Sequence, residues 1–168
     1  MALNVKAIFY TTVGLEPLLL RGATADSPSR VINIASVAGL QTTDVTATEV
    51  GLSAPGHGPF SYGPSKAACI HLSKITASKL MPKHITVNCV CPGLFPSRMS
   101  NFGLQKFGEK LRLAQPSGRI GKPEDFAGLI LFLSSKGAAH MTGNVLELDG
   151  GAMLSRFGDR SDLTSGKL

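Results

Sequence analysis

What is scarce in this sequence narrows its function before any motif is read. Three cysteines, Cys69, Cys89 and Cys91, make an odd count with no Cys-x-x-Cys spacing. That argues against a disulfide framework and for a reducing compartment, the cytoplasm. Four histidines, His57, His71, His84 and His140, stand at no metal-ligand spacing from one another or from the cysteines, so no metal site is expected. Charged residues make up 17% of the chain. The net charge of +6 is not gathered into a basic strip interleaved with aromatics, so nucleic acid is not an expected partner. No apolar run reaches membrane-spanning length. No Gly-x-Ser-x-Gly elbow occurs, and no paired His/Asp pattern accompanies a serine, which counts against a serine hydrolase. Internal repeats and low-complexity tracts are missing as well.

What is present fits one globular domain. The 168 residues are 43% hydrophobic, enough to bury a core. Met1 to Leu20 is apolar and precedes Ala23-Thr24-Ala25, a small-residue run of the kind found at signal-peptide cleavage sites. Asn4, Thr11, Thr12 and Glu16 interrupt it, so it reads instead as a largely buried helix over 3–20, with Pro17 kinking or shortening its end. Arg30 to Ala35 is a short β-branched run suited to a buried parallel strand, with Ser36 at its carboxyl end, where open α/β sheets bind ligands. His84 to Cys91 and Gly143 to Asp149 read as two further strands. Between them lie a helix from Ser65 to Leu80, a lid of short helical pieces over Phe95–Gly118, and a helix opened by Lys122-Pro123-Glu124-Asp125, whose acids suit the helix dipole. Strands alternating with helices predict a parallel sheet. From Arg98 to Lys122 six cations face one acid, Glu109. Such a run is a solvated face, or it attracts an acidic carrier or phosphate-bearing substrate.

Chemistry concentrates in Tyr62-Gly63-Pro64-Ser65-Lys66. Residues four apart share a helix face, so this spacing projects a phenol and an ammonium together. A cation beside a phenol favours the phenolate, which suits proton transfer. Alone, the pair is equally a surface tyrosine beside a solvated lysine. The segment 38–61, rich in Thr, Gly and Ser, reads as a loop beside it. Gly56-x-Gly58 has neither the spacing nor the preceding strand of a phosphate-binding loop.

In chain order, Asn4-Val5-Lys6, Ile32-Asn33-Ile34-Ala35-Ser36, Tyr62-x-x-x-Lys66, Pro92-Gly93, and Thr142-Gly143-Asn144 leading to Asp149-Gly150-Gly151 resemble the short-chain dehydrogenase/reductase family over roughly residues 1 to 154. The runs Tyr62–Ala68 and Pro92–Met99 look most like the branch containing the 3-oxoacyl reductase of rhamnolipid biosynthesis. The resemblance implies an α/β fold, the C-terminal part of a Rossmann-type doubly wound parallel sheet with about three strands and helices on both faces. Residues 1–154 form the partial catalytic domain and 155–168 a tail. It implies reduction of a ketone such as a 3-oxoacyl thioester, on an acyl carrier or CoA, by hydride from a nicotinamide cofactor, NADP(H) being favoured over NAD(H). Tyr62 would donate the proton, and Ser36 would hydrogen-bond the carbonyl oxygen. Lys66 would assist Tyr62 and bind the ribose hydroxyls, while Asn4 would hold a water leading to Lys66. Pro92, Gly93, Phe95 and Ser97 would shape the nicotinamide pocket. A homo-oligomer through helices 3–20 and 65–80 is implied too.

Two departures stand out. Ser36 and Tyr62 lie 26 positions apart (62 − 36), which makes 41–61 an insertion and leaves Ser53 and Ser61 as alternative serines. The family's glycine-rich pyrophosphate loop is not found in this sequence, so weak cofactor binding is expected. A dimerisation module derived from such an enzyme is the alternative reading.

Overall fold

The computed structural model describes residues 1–41 and 61–154. Residues 42–60 of the expected insertion loop, Ser53 among them, and the expected tail therefore lie outside the described residues.

A three-stranded parallel sheet in the order β1-β2-β3 organises the fold. Its strands are β1 (Ser29–Ile34), β2 (Ile85–Pro92) and β3 (Val145–Leu148). Among the described residues four α-helices accompany it, α1 (Ala7–Leu19), α2 (Tyr62–Leu80), α3 (Asn101–Leu113) and α4 (Pro123–Ser134). The central strand is buried on both sides because both are covered. Ile85, Val87, Cys89 and Cys91 meet Cys69, Ile70, Ala77 and Leu80 of α2, while Val90 meets Leu133 of α4. Each fully buried Ile or Val of this strand contributes roughly 1.5–3 kcal/mol over its exposed state. The expected α/β architecture is present, with helices on both faces.

Buried polar groups fix the register of these layers. Asn33 Nδ2 donates to Ser73 Oγ at 2.9 Å, and that hydroxyl donates to the Cys69 carbonyl at 2.8 Å. Asn88 Nδ2 donates to the Met141 carbonyl at 2.8 Å, and Asn88 Oδ1 accepts from the Asn144 backbone N–H at 3.2 Å. Thr142 Oγ1 accepts from the Val87 N–H at 3.1 Å. Thr142-Gly143-Asn144 is thus the clasp that delivers β3 to β2. Beyond β3, Gly150 and Gly151 take φ of 65° and 84°, a region glycine enters without strain. That turn wraps around Asp149, whose carboxylate accepts from the N–H groups of Gly151 and Met153 at 2.9 and 2.7 Å.

Two expectations are corrected. The first helix is not largely buried. Only Thr12 of α1 is buried, while Phe9, Tyr10, Val13, Leu15 and Leu18 are exposed. Its apolar residues run all round the helix rather than along one stripe, and one sheet can cover only one side. Ile8 and Leu19 make the contacts with the core clusters. Pro17 is accommodated inside α1, and a π-helical turn over Ala2–Lys6 precedes it. The lid, in turn, holds two short helical pieces, joined as α3 across the non-helical Phe107 (φ −131°, ψ 19°), so the expected break beside Gly108 is present and the one at Gly103 is not.

Candidate active site

The carboxyl ends of β1 and β2 open into a cavity of about 740 Å³, within the range of small-molecule clefts. Ser36, Tyr62, Lys66, Pro92, Gly93, Phe95 and Ser97 all line it. Asn4 does not. Of the eight expected site residues, seven therefore face one space, and of the alternative serines Ser61 is an exposed residue directly before α2.

Tyr62 and Lys66 take their places from the first turn of α2. Lys66 Nζ stands 5.6 Å from the centroid of the Tyr62 ring, so the four-residue spacing delivers the two groups side by side. The ammonium also donates to the Ile34 carbonyl at 3.0 Å. That bond ties α2 to the last residue of β1, two positions before Ser36. An ammonium has three donors, and the others are suited to ligand hydroxyls.

Ser36 is set by the turn that follows the strand. The Ala35 N–H donates to the Val90 carbonyl at 2.8 Å, and Ser36 then opens a 3-10 turn over Val37–Gly39. Its Oγ accepts from the Ala38 N–H at 3.2 Å, which leaves the hydroxyl proton to donate elsewhere. Gly39 is the residue that sequence reasoning missed. A Cβ there would stand 2.6 Å from both the Ala67 nitrogen and the Lys66 carbonyl carbon. Its bare backbone lets the Ser36 turn press against α2 directly behind Lys66. The small residues after the strand were the available signal.

Three thiols lie beneath this junction. Cys69, Cys89 and Cys91 are free, fully buried and packed with Ala35 and Ile70. The hydrogen bond with Cys89, together with burial, drives the Cys69 thiol far up. The bond to Cys69 draws Cys89 down, but the bond to Cys91 and burial outweigh it, and it is pushed up to about 11. The Cys91 thiol is lowered, chiefly by its bond with Cys89 and also by the Ser36 backbone. Burial keeps these groups from solvent reagents. No cluster of metal-ligating side chains occurs among the described residues.

The opposite wall is looser. Ser97 and Ser100 bond reciprocally, the Ser97 N–H to Ser100 Oγ at 2.9 Å and the Ser100 N–H to Ser97 Oγ at 3.2 Å. Ser100 Oγ also donates to the Phe95 carbonyl at 2.7 Å. The Ser97 hydroxyl thus serves the entry to α3 as well as facing the cavity. Phe95 meets Phe126 edge to face at 6.0 Å, and a Cβ on Gly121 would strike the Phe95 ring at 2.5 Å. Met99, Leu111, Phe126 and Ala127 continue the lining, which makes this end apolar. Of the six lid cations, Arg112 pairs with Glu109 at 2.6 Å and Arg119 with Asp125 at 2.6 Å. The basic face is partly neutralised from within.

Comparison with known proteins bears on the family. A family model described as enoyl-(acyl carrier protein) reductase matches residues 1–153. The rhamnolipids biosynthesis 3-oxoacyl-[acyl-carrier-protein] reductase of Pseudomonas aeruginosa is 43% identical over 153 residues, covering 90% of this chain and 55% of that protein. The 3-oxoacyl-[acyl-carrier-protein] reductase of Thermotoga maritima is 30% identical over 151 residues, covering 90% and 54%. Among solved structures, the RhlG/NADP active-site complex of Pseudomonas aeruginosa superposes with a TM-score of 0.76 at 41% identity, covering 89% of this chain and 56% of that one. The chain thus spans about half the length of the curated relatives it matches. With the ordered motifs, the parallel sheet and these matches in agreement, the chain belongs to the short-chain dehydrogenase/reductase family.

Proposed function

We propose that this chain carries the carbonyl-binding and proton-donating part of an NAD(P)(H)-dependent ketoreductase, with a 3-oxoacyl thioester as substrate. The observation that carries the reading is the convergence of Ser36, Tyr62 and Lys66 on one cavity, with the ammonium beside the phenol ring and bonded to the end of β1. The relatives' names supply the substrate class and the cofactor.

In this reading the Ser36 hydroxyl donates to the substrate carbonyl oxygen, stabilising the charge that develops there. Tyr62 passes its proton to the same oxygen. Lys66 stands beside the Tyr62 ring, and its remaining donors suit the paired hydroxyls of a ribose. Pro92 and Gly93 form a wall of backbone. A Cβ on Gly93 would lie 2.7 Å from Asp149 Cβ, so glycine lets that wall sit flush against the β3 turn. The residues present therefore fit the nicotinamide end of the cofactor, which supplies hydride when bound. The apolar lid wall suits an acyl chain. Asn4 enters through Ser65, whose hydroxyl accepts from the Asn4 amide.

A further part of the proposal is that these 168 residues bind the cofactor weakly. Amide resonances of the 15N-labelled chain, followed during titration with NADPH and then a 3-oxoacyl thioester, test both points. Shifts gathered at Ser36, Tyr62, Lys66 and Gly93 at millimolar ligand support the proposal. Shifts elsewhere refute the site, and saturation at micromolar NADPH refutes the weak affinity.

A second reading rests on α1. Its exposed Phe9, Tyr10 and Val13, together with exposed Ile75 of α2, favour self-association through these two helices. In light scattering, Ile75→Glu should return a dimer to monomer, whereas a monomeric parent chain removes this reading.

A further inference from the structure

Ser65 lies between the two residues of the tyrosine and lysine motif without facing the cavity, and it is 2% exposed. Its hydroxyl is used in both directions. It accepts from Asn4 Nδ2 at 2.9 Å and donates to the Tyr62 carbonyl at 2.7 Å. A hydroxyl is one of the few small groups that donates and accepts at once. Alanine would do neither.

A helical serine that bonds a carbonyl one turn back is a common local habit, and alone that bond would mean little here. The other bond is different in kind. It crosses 61 positions and comes from a π-helical turn, Ala2–Lys6. Single π turns of this sort are rare and tend to occur where a helix is adapted to a task. The turn places the Asn4 amide against the first turn of α2, and Ser65 passes that contact on to the backbone of Tyr62. The Ser65 N–H itself donates to the Ser61 carbonyl at 3.0 Å, so the opening of α2 is held from both sides.

We propose that Ser65 is a positioning residue for Tyr62. The chain from the Asn4 amide through the Ser65 hydroxyl to the Tyr62 carbonyl locks the first turn of α2 against the entry to α1. It thereby fixes the direction in which the phenol enters the cavity. The role assigned to Tyr62 rests on the proposed function, but the device is a matter of ring placement and is measurable without turnover.

The sequence contains two tyrosines, Tyr10 and Tyr62, so the full chain labelled with 3-fluorotyrosine gives two fluorine resonances, assigned with Tyr10→Phe. Tyr10 is exposed and serves as the internal reference. Ser65→Ala should shift or broaden the Tyr62 line and leave that of Tyr10 in place. Asn4→Asp keeps the side-chain shape but cannot donate at neutral pH, so it should move the Tyr62 line in the same way. It also stands in as the test if Ser65→Ala does not fold. The double variant should move the line no further than either single change. A Tyr62 line unmoved in variants with native circular dichroism overturns the proposal, as do single effects that simply add. Loss of activity without these shifts would count against the role of Ser65 and leave the proposed function standing.

Discussion

On one wall of the cavity Ser36, Tyr62 and Lys66 rise from a strand end and a helix start that are packed and cross-bonded. On the other, α3 bends at Phe107, exposes Phe102 and Leu113, and holds its cations largely in solvent. The first wall has buried Asn33, Ser73 and Ser65 beneath it, each with its hydrogen bond satisfied. The second has the reciprocal bonds of Ser97 and Ser100 and an aromatic pair. In the proposed reading, the difference follows from what each wall would do. Proton transfer needs groups held to within a fraction of an ångström. A surface that admits and releases an acyl chain is better made of parts that yield.

One chemical change made on both walls should have opposite signs. Gly39→Ala adds a methyl group 2.6 Å from the backbone of Lys66 and Ala67, where no side chain can swing away. Either the Ser36 turn or α2 must move, and overpacking of this kind destabilises by about 1–3 kcal/mol. Urea unfolding should show a midpoint well below that of the parent chain. An unchanged midpoint would mean that the junction behind Lys66 has slack, and the contrast between the walls would fall.

Much of the firm wall was legible in the residues. The β-branched runs and the spacing of Tyr62 and Lys66 are local patterns with local physical causes, and each reappears in the folded chain. Ser36 follows β1 directly after Ala35, as its place behind the β-branched run implied. What escaped was non-local. Gly39 looks like any small residue until α2 is laid across it. The Asn4 amide gives no sign in sequence that its partner is Ser65, 61 positions away. The burial of α1 was overestimated for a related reason, since an all-apolar helix records how much surface wants covering but not what covers it. The break in the lid beside Gly108 was legible, whereas Gly103 was counted as a second break although a glycine costs only about 1 kcal/mol in a helix.

That cost makes the converse substitution informative. At Gly108, inside α3 and next to the bend, a Cβ would meet nothing within 4 Å. Gly108→Ala should therefore stabilise the chain, by about 0.5–1 kcal/mol from helix propensity. The gain should appear as a slightly raised urea midpoint, and as slower hydrogen exchange confined to α3. A loss of stability comparable to that of Gly39→Ala would show that the lid is as tightly constrained as the other wall.

The smallest effect concerns the joint between the lid and α4. Arg119 grips Asp125 through both carboxylate oxygens at 2.6 and 2.8 Å, while Asp125 Oδ2 accepts from the Lys122 N–H at 2.8 Å. The Arg119 hydrogen bond, then that of the Lys122 backbone, lowers the Asp125 carboxyl from its ordinary 3.8 to about 2. A carboxylate whose pKa falls on folding adds stability above its unfolded value and loses it as the folded group takes up its proton. The contribution of Asp125 is therefore complete above pH 3.8 and fades as pH falls through about 2. Because the pair is solvent-facing, water and salt keep it modest. Asp125→Asn should unfold slightly sooner than the parent chain in urea at pH 6, with the gap narrowing on acidification and smaller in high salt. A gap that holds constant to pH 2 would assign the effect to the helix cap rather than to the charge. The lid would then be joined to α4 by geometry alone.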